Sequence, residues 1–267
     1  MPALPPALEQ AIANAYRVFA KYRLSGSLIL CTCQVCVGPE AERELNTLPV
    51  RNMPVDTLAE YTHSAHGWND DIDLQFRRFV PRYFELIAVG TPPTKLSQAT
   101  CLERLKEAEY RSRWPREDAD AVDAFFLALL GFKLLEPPGI DRTGLPSLDG
   151  DAVEDVLCMA AHAGVDMALL LKAWDEDQSR NATLHLANII GAADWLRKRL
   201  RQSWWVGMKR PHTEAAMQQL IQWLFRPQTR ERLEAECLAE DDTAAATLLS
   251  HAEGIVAAMI QQASERQ

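Results

Sequence analysis

The 267-residue chain is short of almost everything that would announce a chemistry. It contains no G-x-S-x-G, no H-E-x-x-H, no phosphate-binding loop and no G-x-G-x-x-G, so the familiar turns that present a catalytic serine, a zinc-binding helix or a nucleotide are missing. Long hydrophobic runs are missing too. The most apolar stretch, Ala124 to Leu135, falls well below the roughly 20 residues needed to span a bilayer and reads as a buried helix. Positive charge is scarce: 28 lysines and arginines stand against 37 aspartates and glutamates, a formal net charge of -9. That balance disfavours broad binding to nucleic acid or an anionic membrane and suits a basic protein partner. The opening MPALPPALEQ lacks a basic and then apolar leader, so export by that route is not expected. Six cysteines are too few for a disulfide scaffold at this length, and a reducing cytoplasm is the expected compartment.

What the chain does contain is helix after helix, in an ordinary globular composition with 48% hydrophobic residues. Apolar residues recur at helical spacing over Leu8 to Tyr22, Ser97 to Arg111, Asp118 to Leu135, Asp151 to Ala163, Ala182 to Arg199, Thr213 to Phe225, Arg230 to Leu238 and Thr243 to Ala263. Shorter helices are expected over Pro39 to Asn46 and Val55 to Ala65. Only Leu28-Ile29-Leu30 reads as a strand. The stretch from Glu136 to Gly150, EPPGIDRTGLPSLDG, is the best linker. It suggests an N-terminal half over 1–138, a linker over 139–150 and a C-terminal half over 151–267. The expected fold is an irregular all-α array. Val165 to Trp174 and Ala182 to Trp195 suit antiparallel neighbours in a HEAT-like arrangement, although no strict repeat recurs and a compact array is equally admissible.

The densest packing signal is Asn69 to Gly90, NDDIDLQFRRFVPRYFELIAVG. Ile72, Phe76, Phe79, Tyr83 and Ile87 lie along one helical face, with Asp70 or Asp71 as the expected cap and Gly90 followed by two prolines as the stop. Pro81 cannot donate to the carbonyl of Arg77 and is expected to kink or split the helix. Beside it sit Arg77, Arg78 and Arg82. They either pair with the acids Asp70, Asp71, Asp73 and Glu85, or present planar guanidiniums to a partner's carboxylate or phosphate.

Cys31-Thr32-Cys33-Gln34-Val35-Cys36 is the strongest chemical candidate. A C-x-x-C turn folds two sulfurs to one side, as a tetrahedral zinc requires, and Cys31, His63, His66 or Cys101 could complete the ligand set. A redox pair and simple packing thiols remain open beside the metal. A second interaction candidate is Trp204-Trp205, set in the basic stretch from Arg197 to His212. It could form a partner hot spot, a base-stacking platform or helix packing. The acidic runs Asp175-Glu176-Asp177 and Glu240-Asp241-Asp242 read as solvated charge.

The cysteine pair followed by DLQFRRFVPRYFELI resembles a family of all-helical bacterial proteins in which such a pair precedes a segment like D-F-x-x-F-L-P-R-x-x-E-L. Phe76, Phe79, Pro81, Arg82, Glu85 and Leu86 fit that pattern, Val80 stands where leucine is usual, and the likeness covers mainly residues 28 to 90. It implies an α-helical fold and a bacterial origin, and no activity. The expected function is non-catalytic: an immunity-like or adaptor protein whose acidic surface engages a basic protein. Alternatives are a zinc enzyme or sensor built on Cys33 and Cys36, and nucleic-acid binding through Trp204 and Trp205.

Overall fold

In the computed structural model, residues 3–24, 26–31, 33, 35–64, 69–146, 150–193, 200 and 210–265 are described. Among them the fold is all-α, with a single isolated antiparallel bridge between Ile140 and Pro146 and no strand. They form two compact units, one of residues 1–129 with 162–165 and the other of residues 130–161 with 166–267.

The first unit is built on α1 (Pro6–Phe19) and α4 (Asp70–Ala88), which pack against each other. Between them in sequence come α2 (Pro39–Thr47), a 3-10 turn at Val50–Asn52 and α3 (Val55–Thr62). The periodic face of α4 is buried as expected: Ile72, Phe76, Phe79 and Tyr83 are all inside. Its cap is Asn69 rather than Asp70 or Asp71, because the Asn69 side chain accepts the Ile72 N–H while the aspartates occupy the first turn, where the helix dipole favours them. Pro81 does not split it. The helix runs continuously through the proline, which is itself buried. The next region, expected as one helix, is broken into α5 (Arg104–Glu107) and α6 (Tyr110–Arg113) by Glu109, whose φ of 48° is left-handed. Cys101, Leu102 and Leu105 are nonetheless buried as the apolar side. The first half of α7 (Arg116–Leu135) supplies Phe125, stacked on Phe84 with ring centroids 3.9 Å apart.

The expected strand at Leu28-Ile29-Leu30 is not one. The N–H groups of Leu28 and Ile29 donate to the side chains of Asn46 and Gln75, so no ladder partner is needed to satisfy them.

The second unit contains the rest of α7 and α8 (Ala152–Ala163) as far as Ala161, followed by α9 (Met167–Glu176) and α10 (Arg180–Ala192). It is completed by α11 (Pro211–Leu224), α12 (Pro227–Ala239) and α13 (Thr243–Ser264). Here α10 packs on both α12 and α13, these two pack on each other, and α9 pairs with α11. Trp174, fully buried in the last turn of α9, donates its indole N–H to the Ala182 carbonyl in the first turn of α10. The acidic run beside it is not simply solvated. Asp175 accepts from the Trp223 indole at 3.0 Å and is gripped by the Arg226 guanidinium. By length and composition α13 could cross a membrane, yet Leu248, Leu249, Ala252 and Val256 form a buried stripe along it.

Candidate metal centre

The cysteine loop is held to the first unit at both ends. Leu28 and Val37 are buried on either side of it, which anchors an otherwise exposed turn. The Cys31 N–H donates to Ser64 Oγ at 3.0 Å, and the Gly38 N–H donates to Glu60 Oε2 at 2.9 Å. Both acceptors belong to α3 or to the residues just after it. The loop's entry and exit are thereby fixed to one helix end, which Arg104 ties down further by donating to the carbonyls of Tyr61 and Ser64 at 3.0 and 3.1 Å.

Between those anchors the three sulfurs of Cys31, Cys33 and Cys36 lie within 4.8 Å of one another, and Cys33 Sγ to Cys36 Sγ is 3.3 Å. Sulfurs sharing a tetrahedral zinc sit about 3.8 Å apart, as follows from a metal–sulfur distance of about 2.3 Å. Closure on an ion therefore asks for side-chain shifts of about 1 Å, with no rearrangement of the anchors. The Cys33 thiol is exposed and its pKa is lowered to about 6, first by the hydrogen bond from Cys31 and then by the Val35 N–H and the Cys36 thiol and N–H. Cys31 is raised in exchange, chiefly because its proton bridges to Cys33. A single added positive charge at the centre would stabilise all three thiolates together.

Of the other suggested ligands, His63 and Cys101 are engaged elsewhere. His63 Nε2 accepts the Lys95 N–H at 2.9 Å and lies 3.2 Å from Thr94 Oγ1, and burial lowers the imidazole's pKa. Its role is to hold the loop after α4. Cys101 is buried, its thiol is pushed far up by burial, and its sulfur faces the Pro93 carbonyl. His66 lies outside the described residues, as do Trp204 and Trp205. Among the described residues the donor set is thus three cysteine sulfurs.

The arginine group turns inward. Arg77 is 7% exposed and donates to Asp73 at 2.5 Å and to the Tyr22 hydroxyl at 3.0 Å, with its guanidinium 4.6 Å from the centre of the Trp114 ring. Asp73 also accepts from the Trp114 indole at 2.8 Å, and Tyr22 donates on to Asp118, which Lys21 reaches at 2.7 Å. Arg82 donates to the Met53 carbonyl at 3.0 Å and to Glu85 at 2.6 Å. Arg78 behaves differently. One of its N–H groups reaches the Leu48 carbonyl at 3.1 Å, and the side chain lines a cavity together with Arg17 and Arg51. Neither of the latter was suggested by spacing, since the three come from α1, the 3-10 turn and α4.

The second unit holds a buried polar cluster that sequence spacing did not reveal. His185 on α10 bonds through Nδ1 to the Asp151 carboxylate at 2.9 Å and through Nε2 to the Glu136 carbonyl at 2.8 Å, while Asn188 donates to the same aspartate at 2.6 Å. Asp151 also accepts the N–H groups of Val153 and Glu154 at the start of α8. Only the i, i+3 pair His185 and Asn188 could have hinted at it.

Comparison of the chain with protein-family models, with curated proteins and with solved structures finds no match in any of the three. The likeness to helical bacterial proteins therefore rests on the residues of the cysteine pair and α4 alone. Those residues have an internal rationale here: Phe76, Phe79 and Leu86 are buried, and Arg82 pairs with Glu85.

Proposed function

We propose that this chain is a non-catalytic metal-binding protein in which Cys31, Cys33 and Cys36 hold one soft ion, zinc in the first instance, with a fourth position open to solvent or to a partner. The observation that carries this reading is the convergence of three sulfurs within 4.8 Å on a loop pinned at both ends to α3 and its C-terminal edge. Thiolates select zinc and copper(I) over hard cations, and an open fourth position suits sensing more than a closed structural knot. A bacterial and cytoplasmic setting, where thiols stay reduced, fits such a centre. Purification without chelator followed by elemental analysis tests it. About one zinc per chain is expected, lost in Cys33→Ser and Cys36→Ser. A protein that stays metal-free after zinc is supplied at about micromolar concentration contradicts it.

A second reading is favoured by the net charge of -9. In it the acidic surface engages a basic protein, as an adaptor or immunity-like protein would, and the metal loop modulates that contact. Co-expression with the product of the neighbouring gene should yield a co-purifying complex that dissociates as salt rises, and separate elution at low salt contradicts it.

A further inference from the structure

The cavity that Arg78 enters has the features of a ligand site, and they are distinct from those of the cysteine loop. It is an open cleft of about 510 Å³ in the first unit. Arg17, Arg51 and Arg78 line it, and no carboxylate is found among its described lining residues. In a chain this acidic that reversal of sign is local, and at physiological salt local charge dominates within about 8 Å.

The three guanidiniums are also undercommitted. A guanidinium carries five N–H donors. Arg78 spends one on Leu48, Arg17 spends one on Asn14 at 2.7 Å, and the Arg51 guanidinium sits over the Tyr16 ring, 3.7 Å from its centre. None of the three forms an ion pair among the described residues. Glu85, the acid whose field reaches Arg51, is already held by the Tyr16 hydroxyl and by Arg82, each at 2.6 Å. Arg78 is half-buried with no acid beside it, and burial alone lowers its pKa. A desolvated cation without a counter-charge costs stability unless something repays it. The remaining walls are apolar. Ala13, Ala20 and Pro49 are its exposed apolar residues, with Phe19 and Pro81 buried behind them.

We propose that this cavity binds a small organic acid, its carboxylate or phosphate gripped by the half-buried Arg78 with the exposed Arg51 and Arg17, and its apolar or aromatic body laid against Ala13, Ala20 and Pro49. Planar guanidiniums match either oxyanion in bidentate geometry, so the headgroup chemistry is shared and the source is decided by experiment.

Calorimetric titration of the full chain with phenyl phosphate, phenylacetate, inorganic phosphate and benzyl alcohol tests this. At least one aromatic acid is expected to bind saturably at one site and to weaken as salt rises, and benzyl alcohol is expected not to bind. Arg51→Gln, at an exposed position that leaves folding intact, should weaken the binding by about tenfold or more, with Arg78→Gln doing the same and Arg78→Lys only part of it. Preference for phenyl phosphate or for phenylacetate assigns the headgroup. The proposal is overturned if none of the acids binds saturably up to about 10 mM, if Arg51→Gln binds as tightly as the parent, or if inorganic phosphate binds as well as phenyl phosphate. Should Arg78→Gln fail to fold, the same comparison with Arg17→Gln decides.

Discussion

Arg77 and Asp73 form the buried pair on which the first unit's polar interior depends. The two side chains are 9% and 6% exposed, and the carboxylate serves both Arg77 and the Trp114 indole. Removing one partner of such a pair leaves the other charge uncompensated in a poorly solvated place, which costs about 3–5 kcal/mol. Asp73→Ala should lower the unfolding free energy by that amount in a denaturant titration, and a loss under about 1 kcal/mol would show the pair to be dispensable. At the same scale the surroundings of His185 favour the imidazolium. Both of its nitrogens face acceptors, the Asp151 carboxylate and the Glu136 carbonyl, so both must donate. Burial pulls its pKa down, but Asp151 and the carbonyls of Glu136 and Lys133 outweigh it, and the net direction is upward from 6.5. The stabilisation is therefore complete below pH 6.5 and is lost as pH rises through the higher folded-state value. Urea midpoints should fall from about pH 6 to about pH 9, with a flatter profile in His185→Gln, and parallel profiles would contradict the charged assignment. At this scale the sequence was a poor guide. Arg77, Arg78 and Arg82 are neighbours in one helix yet serve three different surroundings, which depend on Trp114, Leu48 and Met53 from elsewhere in the chain.

At the scale of elements the sequence was far more legible, because helical periodicity is a local property. Most long helices lie within a few residues of their expected bounds, and the apolar face of α4 is the buried one; α10 ends at Ala192 where Arg199 was expected, and residues 194–199 lie outside the described residues. The misses share a cause. Leu28 to Leu30 had the apolar character of a strand but found side-chain acceptors instead of a ladder, and the helix expected at Ser97 to Arg111 was interrupted by a left-handed residue that no propensity demands. Gly144 offers an element-scale test. Its φ is +81°, and an added Cβ would meet the Ala244 carbonyl at 2.6 Å, at the start of α13. Gly144→Ala should destabilise the second unit by about 1–3 kcal/mol, read as a lower thermal midpoint, and an unchanged midpoint would mean that the turn at Asp141 to Gly144 moves freely away from α13.

For the whole molecule, the fold class and acidic character were readable from composition and periodicity, whereas the sites were readable only in part. The cysteine loop was visible because C-x-C-x-x-C places its donors within one turn. That His63 and Cys101 are engaged elsewhere was not, because their commitments depend on Lys95 and Pro93. The arginine-lined cavity was invisible, being assembled from three separate elements. In the first unit the end of α3 holds the cysteine loop at both of its ends. X-ray absorption at the zinc edge, on protein loaded with one equivalent of zinc, tests that arrangement most directly. Three sulfurs at about 2.3 Å with one lighter fourth ligand are expected. A shell of nitrogen and oxygen alone, or fewer than two sulfurs per zinc, would show that Cys31, Cys33 and Cys36 do not form a metal centre.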